Sequence, residues 1–174
     1  MAESSLLHGK RILIVDDEPD VLEVLEELLK MCRVEKATTF EKAKELLETQ
    51  PFDMAILDIM GVNGYGLLEI AKERKVPAVM LTAHAFNPPN LVRSIREGAA
   101  SYIPKEEISR IVDFLNDVLE ARSKGENPWK PWQERLPSSY FERKFGAAWQ
   151  DVDKEFWEKF KAGLRERGSA SKKQ

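Results

Sequence analysis

Short apolar runs alternate with longer amphipathic stretches over the first 120 residues. The runs are RILIV (11–15), VEKAT (34–38), DMAIL (53–57), AVMLT (78–82) and SYI (101–103). Their Val, Ile, Leu and Met content predicts strands, the first, third and fourth buried on both faces. Between them the spacing becomes helical. Val21, Leu22, Leu25, Leu28 and Leu29 make one face of a first helix, and Phe40, Ala43, Leu46 and Leu47 one face of a second. Thr38 with Glu41 is the expected capping box of that second helix. Leu67, Leu68 and Ala71 serve a third, and Leu91 and Ile95 a fourth that stops at Gly98. Ile108, Ile111, Val112, Leu115 and Leu119 mark a fifth. The pattern is (βα)5, which predicts an α/β fold: a doubly wound, five-stranded parallel sheet covered by helices on both faces.

In such a sheet, ligands sit beyond the carboxyl ends of the strands. The first strand runs into Asp16 and Asp17, the third into Asp58, the fourth into Thr82 and the small Ala83, and the fifth is followed by Lys105. Taken singly, each has a structural reading. Asp16 or Asp17 can be a helix N-cap, Asp58 a turn residue, Thr82 a locally satisfied hydroxyl and Lys105 a solvated amine. All five at the ends of a five-strand pattern are not explained that way. Three adjacent carboxylates repel, and a divalent cation with hard oxygen ligands, Mg²⁺, offsets the repulsion.

The segments ILIVDDEPD, DMAILDIM…NGYGLL, VMLTA and GAASYIPK resemble the receiver domain of two-component response regulators, the CheY-like family, over about residues 10–122. The resemblance implies a protein that accepts a phosphoryl group on Asp58 from a histidine kinase or phosphotransfer protein in a Mg²⁺-dependent reaction. Asp16, Asp17, Asp58 and the backbone carbonyl of Met60 would bind the metal. Thr82, Ala83 and Lys105 would bind the phosphoryl group. Thr82 and Tyr102 would act as the switch that signals to an output protein. By the resemblance such a protein is a phosphoacceptor in signal transduction that can promote its own phosphorylation and dephosphorylation, not an enzyme acting on separate substrates.

Three stretches depart from the family pattern. DIMGVNGYG lacks the usual Met-Pro pair, and aligning Asn63-Gly64 with the usual Asp-Gly leaves the loop two residues short. Lys105 is followed by Glu106 where the family has proline, so a trans Lys105–Glu106 bond is expected. HAFNPPN, after Thr82-Ala83, is longer than typical. In it, His84 reads as a rim residue two past Thr82, with no kinase or phosphotransfer motif beside it.

Charge and composition change the picture only near the end. Residues 1–120 carry 14 basic and 22 acidic side chains, and residues 121–174 carry 13 and 8, so an acidic body bears a basic tail. All four tryptophans lie at or beyond Trp129. The division expected is a domain at 10–122, a Pro/Trp-containing linker at 123–137 that is extended, a helical extension at 138–166 and a disordered tail at 167–174. Within the extension, Ser139 and Glu142 form the expected capping box and Gly146 the stop. Trp149, Val152, Phe156, Phe160 and Leu164 form one helical stripe. About fifty residues are marginal for an independent core. The stripe therefore packs on the body, on a second copy in a homodimer, or on a partner. The tail is too short for a winged-helix output and shows no helix-turn-helix, which disfavours DNA. No apolar run approaches the ~20 residues of a membrane helix, the N-terminus lacks a signal-peptide pattern, and the lone Cys32 excludes an internal disulfide. The expectation is a cytoplasmic, stand-alone response regulator. The alternatives are a phosphorylation-independent adaptor that keeps the fold and a small DNA-binding regulator.

Overall fold

The computed structural model describes residues 6–83 and 86–165. His84, the side chain of Val152 and the expected tail at 167–174 lie outside the described residues. Five strands, Arg11–Val15 (β1), Arg33–Ala37 (β2), Met54–Asp58 (β3), Ala78–Thr82 (β4) and Ser101–Pro104 (β5), form one parallel sheet. Its order is β2-β1-β3-β4-β5. Helices Pro19–Leu28 (α1), Phe40–Thr49 (α2), Gly64–Glu73 (α3) and Pro88–Arg96 (α4) fill the four crossovers, and Ile111–Lys124 (α5) follows β5. α1 packs against α5, and α2 against α3. On the α2–α3 side, the α3 hydroxyl of Tyr65 hydrogen-bonds the Asn90 carbonyl of α4 at 3.0 Å.

Every residue of β3, β4 and β5 is buried, as are Ile12 to Val15 of β1. The edge strand β2 exposes Arg33, Glu35 and Lys36, which blunts it against pairing with another chain. The chain first steps outward from β1 to β2 and then returns past β1 to β3. This reversal opens a crevice at the carboxyl ends of β1 and β3. The register pairs Val15 with Leu57, Asp58 with Leu81 and Thr82 with Pro104. Asp16, Asp58, Thr82 and Lys105 therefore stand at one sheet edge.

Several local expectations are corrected. β2 begins at Arg33, one residue earlier than the apolar run indicated. Thr39, not Thr38, caps α2, its Oγ1 accepting the Lys42 N–H at 3.2 Å. Ile108 lies in a 3₁₀ turn, Lys105–Arg110, ahead of α5. The expected extended linker is partly helical: α5 runs on to Lys124, and Trp129–Arg135 forms a helix, α6. Pro131 is tolerated there because the first turn of a helix leaves its N–H groups unpaired in any case. Helix Ser138–Phe145 (α7) has no side-chain cap, so Ser139 and Glu142 do not form a capping box, although Gly146 does stop it. The aromatic stripe is not one helix. Trp149 and Val152 belong to a 3₁₀ turn, Trp149–Asp153, and Phe156, Phe160 and Leu164 to helix Lys154–Arg165 (α8).

The C-terminal helices lie on the face made by α4, β5 and α5. Trp129 donates its indole N–H to the Ala99 carbonyl at 3.1 Å, and Trp132 donates to the Tyr102 carbonyl at 2.8 Å. Arg135 pairs with Asp117 and, at 3.7 Å, with Asp113. Arg96 of α4 pairs with Asp153 at 3.3 Å and covers the Phe156 ring at 4.8 Å. Trp129, Trp132, Leu136, Phe141, Trp149, Trp157 and Leu164 are all buried in the same core cluster as the sheet. The basic tail thus finds its counter-charges and its apolar cover on the acidic body.

Candidate functional site

Asp16 follows the last residue of β1 and is 1% exposed; Asp58, the last residue of β3, is 5% exposed. Asp17 is exposed beside them. Each of the three offers a carboxylate oxygen, and these oxygens lie within 4.8 Å of one another. Lys105 closes the cluster. Its Nζ lies 2.9 Å from Asp16 Oδ2, 3.0 Å from Glu18 Oε1 and 3.6 Å from Asp58 Oδ1. Asp16 Oδ1 accepts the Glu18 N–H at 2.9 Å. Asp16 Oδ2 is buried against the Lys105 ammonium.

One amine does not balance this much negative charge. Burial, then the neighbouring Asp16 charge, pushes the Asp58 carboxyl up to about 7, with Lys105 pulling the other way. Asp16 is also raised, chiefly by burial, against the pull of Lys105 and the Glu18 N–H. Burial works to lower the Lys105 amine, but its bonds to Asp16 and Glu18 and the charge of Asp58 outweigh it, and the net direction is upward.

A cleft of about 210 Å³ opens over the cluster, with Asp17, Asp58, Thr82, Ala83, Lys105 and Met60 among its walls. Thr82 is fully buried and the Met60 side chain is exposed. The Lys105–Glu106 bond is trans, and among the described residues no peptide is cis. Seven of the eight site residues expected from the sequence therefore meet: Asp16, Asp17, Asp58, Met60, Thr82, Ala83 and Lys105. Tyr102 stands apart from the cleft. Its ring stacks on Phe86 at 5.3 Å between centroids. Its hydroxyl accepts the Asn87 N–H at 2.9 Å and donates to the Asn87 carbonyl at 3.2 Å. It is fully buried.

The shortened loop after Asp58 works through glycines. Gly61 has a φ of +82°, and a Cβ there would lie 2.6 Å from Asp17 Oδ2. At Gly64 a Cβ would meet the Asp58 backbone oxygen at 2.1 Å. Asn63, in the left-handed region at φ 53°, caps α3 by accepting the Gly66 N–H. Gly64→Ala is therefore expected to displace the Asp58 backbone and to cost roughly 1–3 kcal/mol of overpacking, measurable by urea unfolding. A variant as stable as the wild type would contradict this close approach. The sequence reading missed Glu18 as a Lys105 partner, although it lies in the same DDEPD string, and it missed the role of the loop glycines.

The larger cavity, about 790 Å³, lies between α4 and the C-terminal helices. It is mostly apolar, and its one carboxylate, Asp153, is paired with Arg96.

The model of the response regulator receiver domain matches residues 12–116. The chain belongs to the response regulator receiver family. It is similar to the two-component response regulator ARR18 of Arabidopsis thaliana, 39% identical over 56% of this chain and 16% of the relative. It is also similar to ARR12 of the same plant, 36% identical over 66% of this chain and 20% of the relative. The response regulator protein PilR of Pseudomonas aeruginosa is 29% identical over 66% of this chain and 27% of its own length. The chain thus spans about a quarter or less of these relatives. Among solved structures, the CheY-like receiver domain protein of Methanospirillum hungatei JF-1 is 30% identical with a TM-score of 0.61, covering 67% of this chain and 98% of its own. A receiver is a phosphoacceptor signalling module, which implies a histidine kinase or phosphotransfer protein upstream and an output partner downstream. The receivers of this family bind Mg²⁺ in an acidic pocket, and here Asp16, Asp17 and Asp58 make the acidic cluster. No described helix is long and apolar enough to cross a membrane.

Proposed function

We propose that Asp58 is the phosphoacceptor of this receiver and that it takes its phosphoryl group from a phosphohistidine in a Mg²⁺-dependent step. The observation that carries this reading is the Asp58 carboxylate at the wall of the cleft, beside two further carboxylates and 3.6 Å from the Lys105 amine. An Asp58 oxygen attacks phosphorus, the P–N bond to the donor imidazole breaks with its electron pair going to that nitrogen, and the imidazole, already protonated on its other ring nitrogen, leaves neutral. Lys105 offsets charge on the transferring oxygens, and the Thr82 hydroxyl donates to one of them. Ala83 leaves the cleft open on the side where the phosphoryl group is held.

The donor set fits a hard cation. It is all oxygen, one carboxylate oxygen from each of Asp16, Asp17 and Asp58 lies within 4.8 Å of the others, and Gly61 leaves the space that a Cβ would take from the Asp17 carboxylate. Asp16, Asp17 and Asp58, with the backbone carbonyl of Met60, would hold Mg²⁺. Bound there, it would neutralise the carboxylates and the charge that builds on the phosphoryl group. Asp17→Ala is expected to weaken Mg²⁺ binding and labelling together. Unchanged Mg²⁺ affinity in that variant, measured by titration calorimetry, would remove Asp17 from the set.

Incubation with acetyl phosphate and Mg²⁺, read by intact mass, tests the acceptor. Wild type should gain one phosphoryl group and Asp58→Asn none. Equal labelling of both would exclude Asp58, and no labelling of the wild type would favour the phosphorylation-independent adaptor. Use of the tail to bind DNA is disfavoured by where its cations go: Arg135 to Asp113 and Asp117, and Lys144 to Glu106. A homodimer through the α4–β5–α5 face would have to displace the C-terminal helices that cover it.

A further inference from the structure

The residue after Lys105 is held from the C-terminal helices. The Glu106 carboxylate accepts a hydrogen bond from the Tyr140 hydroxyl and pairs with Lys144 Nζ, both on α7. These two bonds, Lys144 first, draw the Glu106 carboxyl below its usual range. The same 3₁₀ turn is tied a second time: Arg110, paired within the turn with Glu107 at 2.9 Å, donates to the carbonyl of Arg135, the last residue of α6, at 3.3 Å. α7 also touches the other loop that leaves the site. Phe86, four residues past Thr82, lies against Tyr140, Phe141 and Phe145.

Lys105 reaches three carboxylates through four rotatable bonds, so the direction of its amine depends on a fixed main chain. A proline after the lysine would fix that chain through its ring. Glu106 has no ring, and its side chain is anchored instead. The anchor itself is too exposed to matter much for global stability: the side chains of Lys144 and Glu106 are 39% and 48% accessible, and exposed ion pairs contribute little. Its consequence is geometric.

We infer that Tyr140 and Lys144 are positioning residues: by holding Glu106 they fix Lys105, and the C-terminal helices thereby set the rate of phosphoryl transfer to Asp58. This rests on Asp58 being the acceptor.

The test uses the full chain. Glu106→Gln, Lys144→Met, Tyr140→Phe and the exchange of Glu106→Lys with Lys144→Glu are compared for labelling by acetyl phosphate in Mg²⁺, with melting temperature recorded beside each rate. Glu106→Gln and Lys144→Met should slow the rate at saturating acetyl phosphate roughly two- to fivefold, the range that losing an exposed ion pair can supply. Melting temperature should hardly move. The charge exchange should recover most of the rate, which a general loss of packing would not allow. Wild-type rates in both single variants would overturn the inference, as would slowed single variants that the exchange fails to rescue. A wild type that takes no label would instead sink the Asp58 reading and this inference with it.

Discussion

Asp58→Asn should melt well above the wild type in a chelated, metal-free buffer near neutral pH, and the gap should close as acid is added. The Asp58 carboxyl is pushed up to about 7 by burial first and by the Asp16 charge next. A carboxyl with a folded pKa above its unfolded one binds its proton more tightly in the folded state. Its favourable contribution is complete below the ordinary carboxylate range and is lost as pH rises through about 7. At neutral pH the wild type therefore carries a penalty on the order of 2–4 kcal/mol that an amide of the same shape does not. Thermal melts of both proteins from about pH 4 to about pH 8 check this. The wild type should lose stability over that span, while the variant should lack the Asp58 part of the loss. Mg²⁺ should raise the wild type more than the variant, because the variant has lost one of the three carboxylates. Parallel pH profiles would mean that Lys105 already balances the cluster and that the raised Asp58 carboxyl is wrong. The experiment also bears on function: a site that folds against its own charge is one that a cation or a bound group can stabilise.

Much of this was legible because the sheet's core strands are buried on both faces. A run such as AVMLT has no polar phase to mislead the eye, and its last residue marks the strand's carboxyl end. Once three such ends are placed, Asp16, Asp58 and Thr82 must share an edge, since parallel register brings them level. β2 was read one residue late for the opposite reason. It is an edge strand with Arg33, Glu35 and Lys36 in solvent, so apolar content does not show where it begins. Lys105 was placed by order alone; its partner Glu18 was not, because it lies beyond β1 and reaches Lys105 only across the fold. The Pro/Trp-containing linker is expected to be extended, yet Pro131 sits in the first turn of α6. The least legible part was where the aromatic side chains of the tail go. Periodicity says that a stripe needs cover; it does not say which surface offers the carbonyls of Ala99 and Tyr102 to two indoles.

Trp132→Ala should be among the most damaging single changes in the chain. The Trp132 ring is 3% exposed, meets Trp129 edge-on at 4.9 Å between centroids and lies 5.4 Å from Phe141. Its truncation removes a large buried aromatic, an expected loss of roughly 3–5 kcal/mol, and strips the Tyr102 carbonyl of its donor. Trp132→Phe keeps most of the ring but not the N–H, so it should cost about 1–3 kcal/mol, the penalty of an unsatisfied buried acceptor. Urea unfolding followed by circular dichroism separates the two. If Trp132→Ala unfolds at the wild-type midpoint, the C-terminal helices do not contribute to the core and their contacts with the receiver are incidental. The site of damage gives a second check. Tyr102 joins the tail through its carbonyl and the β4–α4 loop through its hydroxyl, which holds both the Asn87 N–H and the Asn87 carbonyl. Loosening the first connection should loosen the second. Hydrogen exchange in Trp132→Ala should therefore speed up not only in α6 and α7 but also at the Asn87 amide, a residue that Trp132 reaches only through Tyr102. Faster exchange confined to the helices would show that the tail packs on the receiver without acting on the loop that follows Thr82.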